Sequence, residues 1–293
     1  MQPAQLDIFA DSRDVMLRND VLRALEDRDV GRAAAALGLL RTEFPHEQVL
    51  EALDVLVDEL SRTETAVFRT HGSLLPVLER LHGSLQRAAR QVFDEASARS
   101  WLAPLWRNLA QRCVALDYDA GHSACHAAPQ WMSAGEWASA AEAVGRIESW
   151  RRIPTPLAWM TQARWHLSGL DAAWPLLAEL AWLGPAAFDT LVTQIADPTL
   201  QRLRKKFDAE FEGEGSEAEW AWFPAWALVE DNRLAPVLRE AQPKLQRRPE
   251  QTLRCVLGLL TLERQGAHRE LIQLRKRFRD LNSGLYSIYM ATR

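Results

Sequence analysis

In the stretch GHSACHAA, His122, Cys125 and His126 bring together side chains able to bind a metal. Imidazole and thiolate are both zinc ligands, and on a helix the i, i+4 spacing sets His122 and His126 on one face. No third and fourth ligand stand nearby, and the sequence holds neither an HExxH pair nor a paired CxxC. Structural histidines beside a buried thiol account for the same three residues, so no metal and no cofactor is expected. Nucleophilic catalysis has less support, because GxSxG is absent and no Ser or Cys stands on a strand-turn-helix elbow. Phosphate cradles of the GxxxxGK(S/T) and GxGxxG types are absent as well. Two basic runs, RLRKKF at 202–207 and QLRKRFRDL at 273–281, read as solvated helix faces. The second carries Arg275, Lys276, Arg277 and Arg279 and is the better candidate for touching an acidic partner.

The aromatic residues offer binding chemistry instead. All twelve tryptophans fall between Trp101 and Trp226. Most belong in a core, but Trp supplies rigid contact area that dominates binding hot spots. WAWFPAW, residues 220–226, places Trp220, Trp222 and Trp226 beside Pro224 and downstream of acidic residues, which makes these three a possible groove.

The elements that must position these groups are helices. A chain of 293 residues with 47% hydrophobic and 25% charged residues can bury a substantial core. A net charge of −4 provides no global basic field, so direct nucleic-acid binding is disfavoured. Three scattered cysteines argue against a disulfide framework and for a reducing, cytoplasmic setting. Charges among residues 1–20 exclude a signal-peptide core, and no stretch approaches the roughly 18 apolar residues of a membrane span. Strand patterns do not survive inspection, whereas helical stripes recur throughout. Leu50, Leu53, Leu56, Val57 and Leu60 form one such stripe, with Glu51, Asp54, Asp58 and Glu59 placed opposite. Further helices are expected at about 64–82, 84–96, 98–116, 120–134 and 136–151. Others follow at about 156–168, 171–183, 185–195, 198–211, 217–229, 233–241, 249–264 and 267–281. The fold class is all-α, and short connections predict antiparallel neighbours.

Several of these helices share a spacing. In RDVGRAAAALGLLRTEFP, residues 28–45, small Ala33 follows the turn, Leu37 and Leu40 come four and seven later, and Pro45 closes the unit. From Gly135 the same offsets give Ala140, Val144 and Ile147, and from Gly266 they give Leu271 and Phe278, with Arg275 where an apolar residue is expected. This pattern resembles the second helix of a tetratricopeptide repeat. Gly135 and Gly169 stand 34 residues apart, the period of that family, although Trp174 replaces the small residue of the third unit. The resemblance implies antiparallel hairpins stacked into a superhelix that binds other proteins, with no enzymatic role. An irregular α-helical bundle is the alternative. Residues 13–293 are expected as one helical domain after a flexible segment 1–12, with a looser joint near 207–219, where acidic residues surround Gly213 and Gly215.

Gln5, Leu6, Asp7, Ile8 and Phe9 resemble the pentapeptide with which bacterial replication and repair proteins dock on the DNA polymerase sliding clamp. Leu6, Ile8 and Phe9 have no place on a solvated segment unless a pocket receives them. In an extended peptide they enter apolar pockets while Gln5 hydrogen-bonds at the rim. The resemblance implies a protein-protein interaction adaptor with the clamp as a partner. Two alternatives stand beside it: a freestanding helical-repeat scaffold or chaperone whose Phe9 staples onto its own first helices, and an all-α metal-dependent enzyme using His122 and His126.

Overall fold

The computed structural model describes residues 13–211, 217–242 and 246–292. Among the described residues there is no strand, and the chain is all-α. Residues 5–9 lie outside the described residues. None of the described helices is long and apolar enough to cross a membrane. The chain divides into two compact units, Met1–Glu136 and Trp137–Arg293.

The first unit contains α1 (Arg13–Glu26), α2 (Val30–Glu43), α3 (Leu50–Leu60), α4 (His71–Arg80), α5 (Gln86–Val92), α6 (Glu95–Arg112) and α7 (Ala127–Ser133). A π-helical turn, Leu81–Leu85, joins α4 to α5, and a 3₁₀ helix, Ala120–Cys125, precedes α7. Helices α1 and α2 form a tight hairpin. Asp29 ends the turn by accepting the Arg32 N–H at 2.9 Å, satisfying one of the free donors at the start of α2. Leu17, Val21 and Leu25 of α1 are buried, as are Ala33, Leu37 and Leu40 of α2. Each fully buried leucine contributes roughly 1.5–3 kcal/mol relative to an exposed one.

Four expectations for this unit need correction. The helix expected from residue 64 begins only at His71, because β-branched Thr63, Thr65 and Val67 favour extended backbone and the Phe68 N–H donates to the Arg112 carbonyl at 3.0 Å. The break expected at residues 82–84 is instead the π turn, which absorbs Gly83 and keeps the helical path continuous. The helix expected over 120–134 is split: His122 has non-helical φ/ψ of −131° and 37°, and α7 starts only after His126. Glu59, placed on the polar face of α3, is buried at 8% exposure.

The second unit contains α8 (Trp137–Gly145), α9 (Pro154–Leu183), α10 (Pro185–Gln194), α11 (Pro198–Glu210), α12 (Phe223–Glu230), α13 (Ala235–Leu238), α14 (Arg248–Gln265), α15 (His268–Leu281) and α16 (Ser283–Ala291). Short 3₁₀ helices lie at Trp150–Arg152, Glu217–Trp222 and Asn232–Leu234. The long α9 is not straight. Gly169 has φ 79° and ψ −176°, a conformation essentially confined to glycine. A straight helix of this length would separate its ends by about 45 Å. Yet a Cβ built on Gly184 would lie 2.9 Å from the Pro154 Cβ, so the two ends meet. Helix α9 is therefore a hairpin of two arms, 154–168 and 170–183, creased where the glycine separates the helices expected at 156–168 and 171–183.

The tie that fixes this hairpin is polar. Arg151 grips the buried Glu179 carboxylate with two bonds, Nε to Oε2 at 2.6 Å and Nη2 to Oε1 at 2.5 Å, and the Gln242 N–H donates to Oε1 at 2.7 Å. Helices α14 and α15 form another hairpin through Gly266, whose φ of 71° closes α14. Leu271 and Phe278 are buried, while Arg275 reaches back to Glu263 at 3.2 Å. This ion pair explains how a charged residue occupies a position where the repeat pattern asks for an apolar one. Helix α16, not expected from the sequence, starts where the Asn282 side chain accepts the Leu285 N–H at 2.8 Å.

Candidate functional site

Three regions carry chemistry or binding potential, beginning with the aromatic segment. The 3₁₀ helix over 217–222 repeats every three residues, and Pro224 sets the first turn of α12. Trp220, Phe223 and Trp226, each three apart, consequently point toward one interior. Phe207 meets Trp220 at 5.3 Å, Phe223 at 5.4 Å and Trp226 at 5.3 Å between ring centroids. Trp226 is fully buried and cannot line a groove. Its Nε1 is buried without a hydrogen-bond partner among the described residues. Trp220 and Trp222 are half-buried, and the Arg204 guanidinium lies 5.5 Å over the Trp220 ring. The basic run at 202–207 is engaged in the same unit, with Arg204 on Asp189 at 2.6 Å and Lys206 on Glu230 at 2.5 Å.

A second region lies in the first unit, where a cleft of about 220 Å³ is lined by Arg28, Glu59, Arg62, Arg80 and Arg112, among others. Burial raises the Glu59 carboxyl above its ordinary range, against the pull of Arg80 at 3.0 Å and Arg62 at 3.6 Å. Arg112 is held by the Ala66 carbonyl at 2.8 Å and by Glu64 at 3.1 Å, with Phe68 under its guanidinium at 4.4 Å. Arg28 adopts a positive φ of 55° and donates to the Trp101 carbonyl at 2.5 Å. Arg62 and Arg80 thus pair with the buried Glu59 carboxylate, while Arg28 and Arg112 are held by other groups of the same unit.

The third region is the turn holding His122. His122, Cys125 and His126 do not converge, because the backbone leaves the helical path at His122 and the i, i+4 relation is lost. His126 turns inward, where its Nδ1 accepts the Ala128 N–H at 3.2 Å and caps α7. Burial pulls its pKa down to about 4, so the ring is neutral near pH 7. Cys125 is buried, its thiol pushed up by burial, and Sγ donates weakly to the His71 carbonyl at 3.8 Å. Burial likewise pushes Cys113 up to about 12. Neither thiol is a ready nucleophile.

What His122 does meet is Asp119 and His71. A donor atom from each of these three side chains lies within 4.8 Å of the other two. Asp119 caps the 3₁₀ helix by accepting the Gly121 N–H on Oδ1 at 3.0 Å, while Oδ2 bonds His122 Nδ1 at 2.7 Å. These two bonds, the one to His122 foremost, hold the Asp119 carboxyl below the usual carboxylate range. His71 begins α4 after Thr70, whose hydroxyl accepts the Ser73 N–H at 3.4 Å. Its Nε2 lies 3.1 Å from the Asp117 carbonyl, and its ring stacks on His122 with centroids 5.4 Å apart and planes within 10°. A carbonyl accepts only, so Nε2 carries the proton and Nδ1 the lone pair. Sequence reasoning missed His71 because 48 residues separate it from Asp119. The D-x-x-H spacing of Asp119 and His122 was the local signal that could have drawn attention to the turn.

Comparison with protein families, with curated proteins and with solved structures finds no match to this chain.

Proposed function

We propose that this chain is a non-enzymatic protein-protein interaction scaffold, an adaptor that docks on the bacterial DNA polymerase sliding clamp through Gln5, Leu6, Asp7, Ile8 and Phe9. The observation that carries this reading is the order of those five residues. Three of them are large and apolar, Leu6 set between polar Gln5 and Asp7 and followed by the adjacent pair Ile8 and Phe9, side chains that an extended peptide can offer to apolar pockets. Only residues 10–12 separate the segment from α1, so a clamp bound there stands close to the α1–α2 hairpin. Within each unit a small residue is buried at the position where the repeat pattern asks for one, Ala33 in α2 and Ala140 in α8, which supports the tetratricopeptide-like reading.

Titration calorimetry of the full chain against purified bacterial clamp tests the docking. Binding is expected for the wild type, and the Leu6→Ala, Phe9→Ala double variant should bind at least about tenfold more weakly, which corresponds to about 1.4 kcal/mol. Equal binding by the two proteins, or none by either, removes the tether. A freestanding scaffold would then be the reading left for the same helices.

A further inference from the structure

We propose that His71, Asp119 and His122 form a binding site for a divalent transition cation, zinc foremost. Two imidazole nitrogens and one carboxylate oxygen make a donor set that suits zinc and its first-row neighbours, and one that magnesium and calcium, which prefer oxygen, do not favour. One donor atom of each residue already lies within 4.8 Å of the other two, so capture would start from a gathered set. Three protein ligands leave a fourth tetrahedral position for water.

The surroundings of the three residues match what a metal site requires around its ligands. A ligating histidine ordinarily donates its second ring N–H to a carbonyl or carboxylate, which fixes the tautomer and aims the lone pair. His71 has this arrangement through the Asp117 carbonyl. The Asp119 carboxylate is oriented by the Gly121 N–H through Oδ1, so Oδ2, which now bonds His122 Nδ1, is the oxygen a cation would take over. His122 must give up its bond to Oδ2 and tilt out of its stack with His71, since parallel rings cannot aim both lone pairs at one point. The exposure of its side chain, 46%, permits this rotation. Bound metal would clip the start of α4 to the turn before α7, reinforcing the weaker link from Cys125 to the His71 carbonyl.

The test is titration of the metal-stripped full chain with zinc chloride, followed by calorimetry and by thermal unfolding, with magnesium chloride as the counter-probe. The wild type should bind one zinc with a dissociation constant below about 100 µM and unfold at a higher temperature when zinc is present. His71→Ala and His122→Ala should each weaken binding at least tenfold and abolish the zinc-dependent shift. Asp119→Asn retains the cap on Gly121 and should also weaken binding. His268→Ala, an exposed histidine of α15, should bind as the wild type does. Circular dichroism of each variant establishes that it is folded. The proposal is overturned if the wild type fails to bind zinc in this range, if magnesium binds equally well, or if removing either His71 or His122 leaves affinity unchanged.

Discussion

The aromatic corner around Phe207 and the histidine turn around His122 are held by opposite means. In the corner, Phe207, Phe223 and Trp226 are sealed from solvent and touch through ring faces and edges at 5.3–6.1 Å. In the turn, Asp119 and His122 are about half exposed and are held by a side-chain bond to each other and by the Gly121 N–H that Asp119 accepts. Dispersion and apolar burial keep the corner in one arrangement. The turn has its donors in place but keeps the freedom to exchange one partner for another. Rigidity without polar freedom makes a core, and polar groups held loosely at the surface make a place where something can bind.

Breaking the corner should produce the largest change. Trp226→Ala removes a wholly buried indole and should cost about 4 kcal/mol, read as a lower urea midpoint with little change in slope. Substitution by Phe should recover much of this, since Trp226 Nε1 has no partner among the described residues to lose.

A smaller effect comes from His126, which lies beside the turn and yet belongs to the interior. Its folded pKa of about 4 lies below the ordinary 6.5, so the unfolded chain takes up a proton that the folded chain refuses. Its contribution is fully present above about pH 6.5 and is lost as the pH falls toward 4, with a slope of at most about 1.4 kcal/mol per pH unit. Chemical denaturation across that range should show the slope. His126→Asn, which keeps a side-chain acceptor at the start of α7, should flatten it.

The smallest expected effect sharpens the contrast. Without metal, His122→Ala should change stability by less than about 0.5 kcal/mol, because it removes an exposed ring from a turn that Asp119 and Gly121 continue to hold. A loss comparable to that of Trp226→Ala would show that the turn is structural in the same sense as the corner.

What the sequence made legible follows from the same physics. Helix α3 shows its buried stripe of Leu50, Leu53, Leu56 and Val57, and α14 and α15 meet at Gly266 as expected, because period and turn chemistry are local properties. Gly169 was read as a boundary for the same reason. The stretch 64–70, expected as the start of a helix, is not helical because a distant carbonyl, that of Arg112, takes the Phe68 N–H. The turn at Asp119 was misread because a short side chain bonding its own backbone two residues on competes with the helix. Glu59 was placed outward since nothing on α3 reveals that Arg80 will approach it. The meeting of His71 with Asp119 is of the same kind, a product of tertiary contact between α4 and the 3₁₀ helix. Residues 5–9 lie outside the described residues, and their pattern is legible in the sequence alone.

The crease at Gly169 makes the stretch from Pro154 to Gly184 a closed excursion. The chain departs and comes back to nearly the same spot, so its neighbours on either side are indifferent to how far it travels. Adding equal whole turns to both arms would carry the bend outward while leaving the anchoring point undisturbed. One residue that tolerates a backbone angle others avoid thus gives this unit a length that can vary without rebuilding the rest.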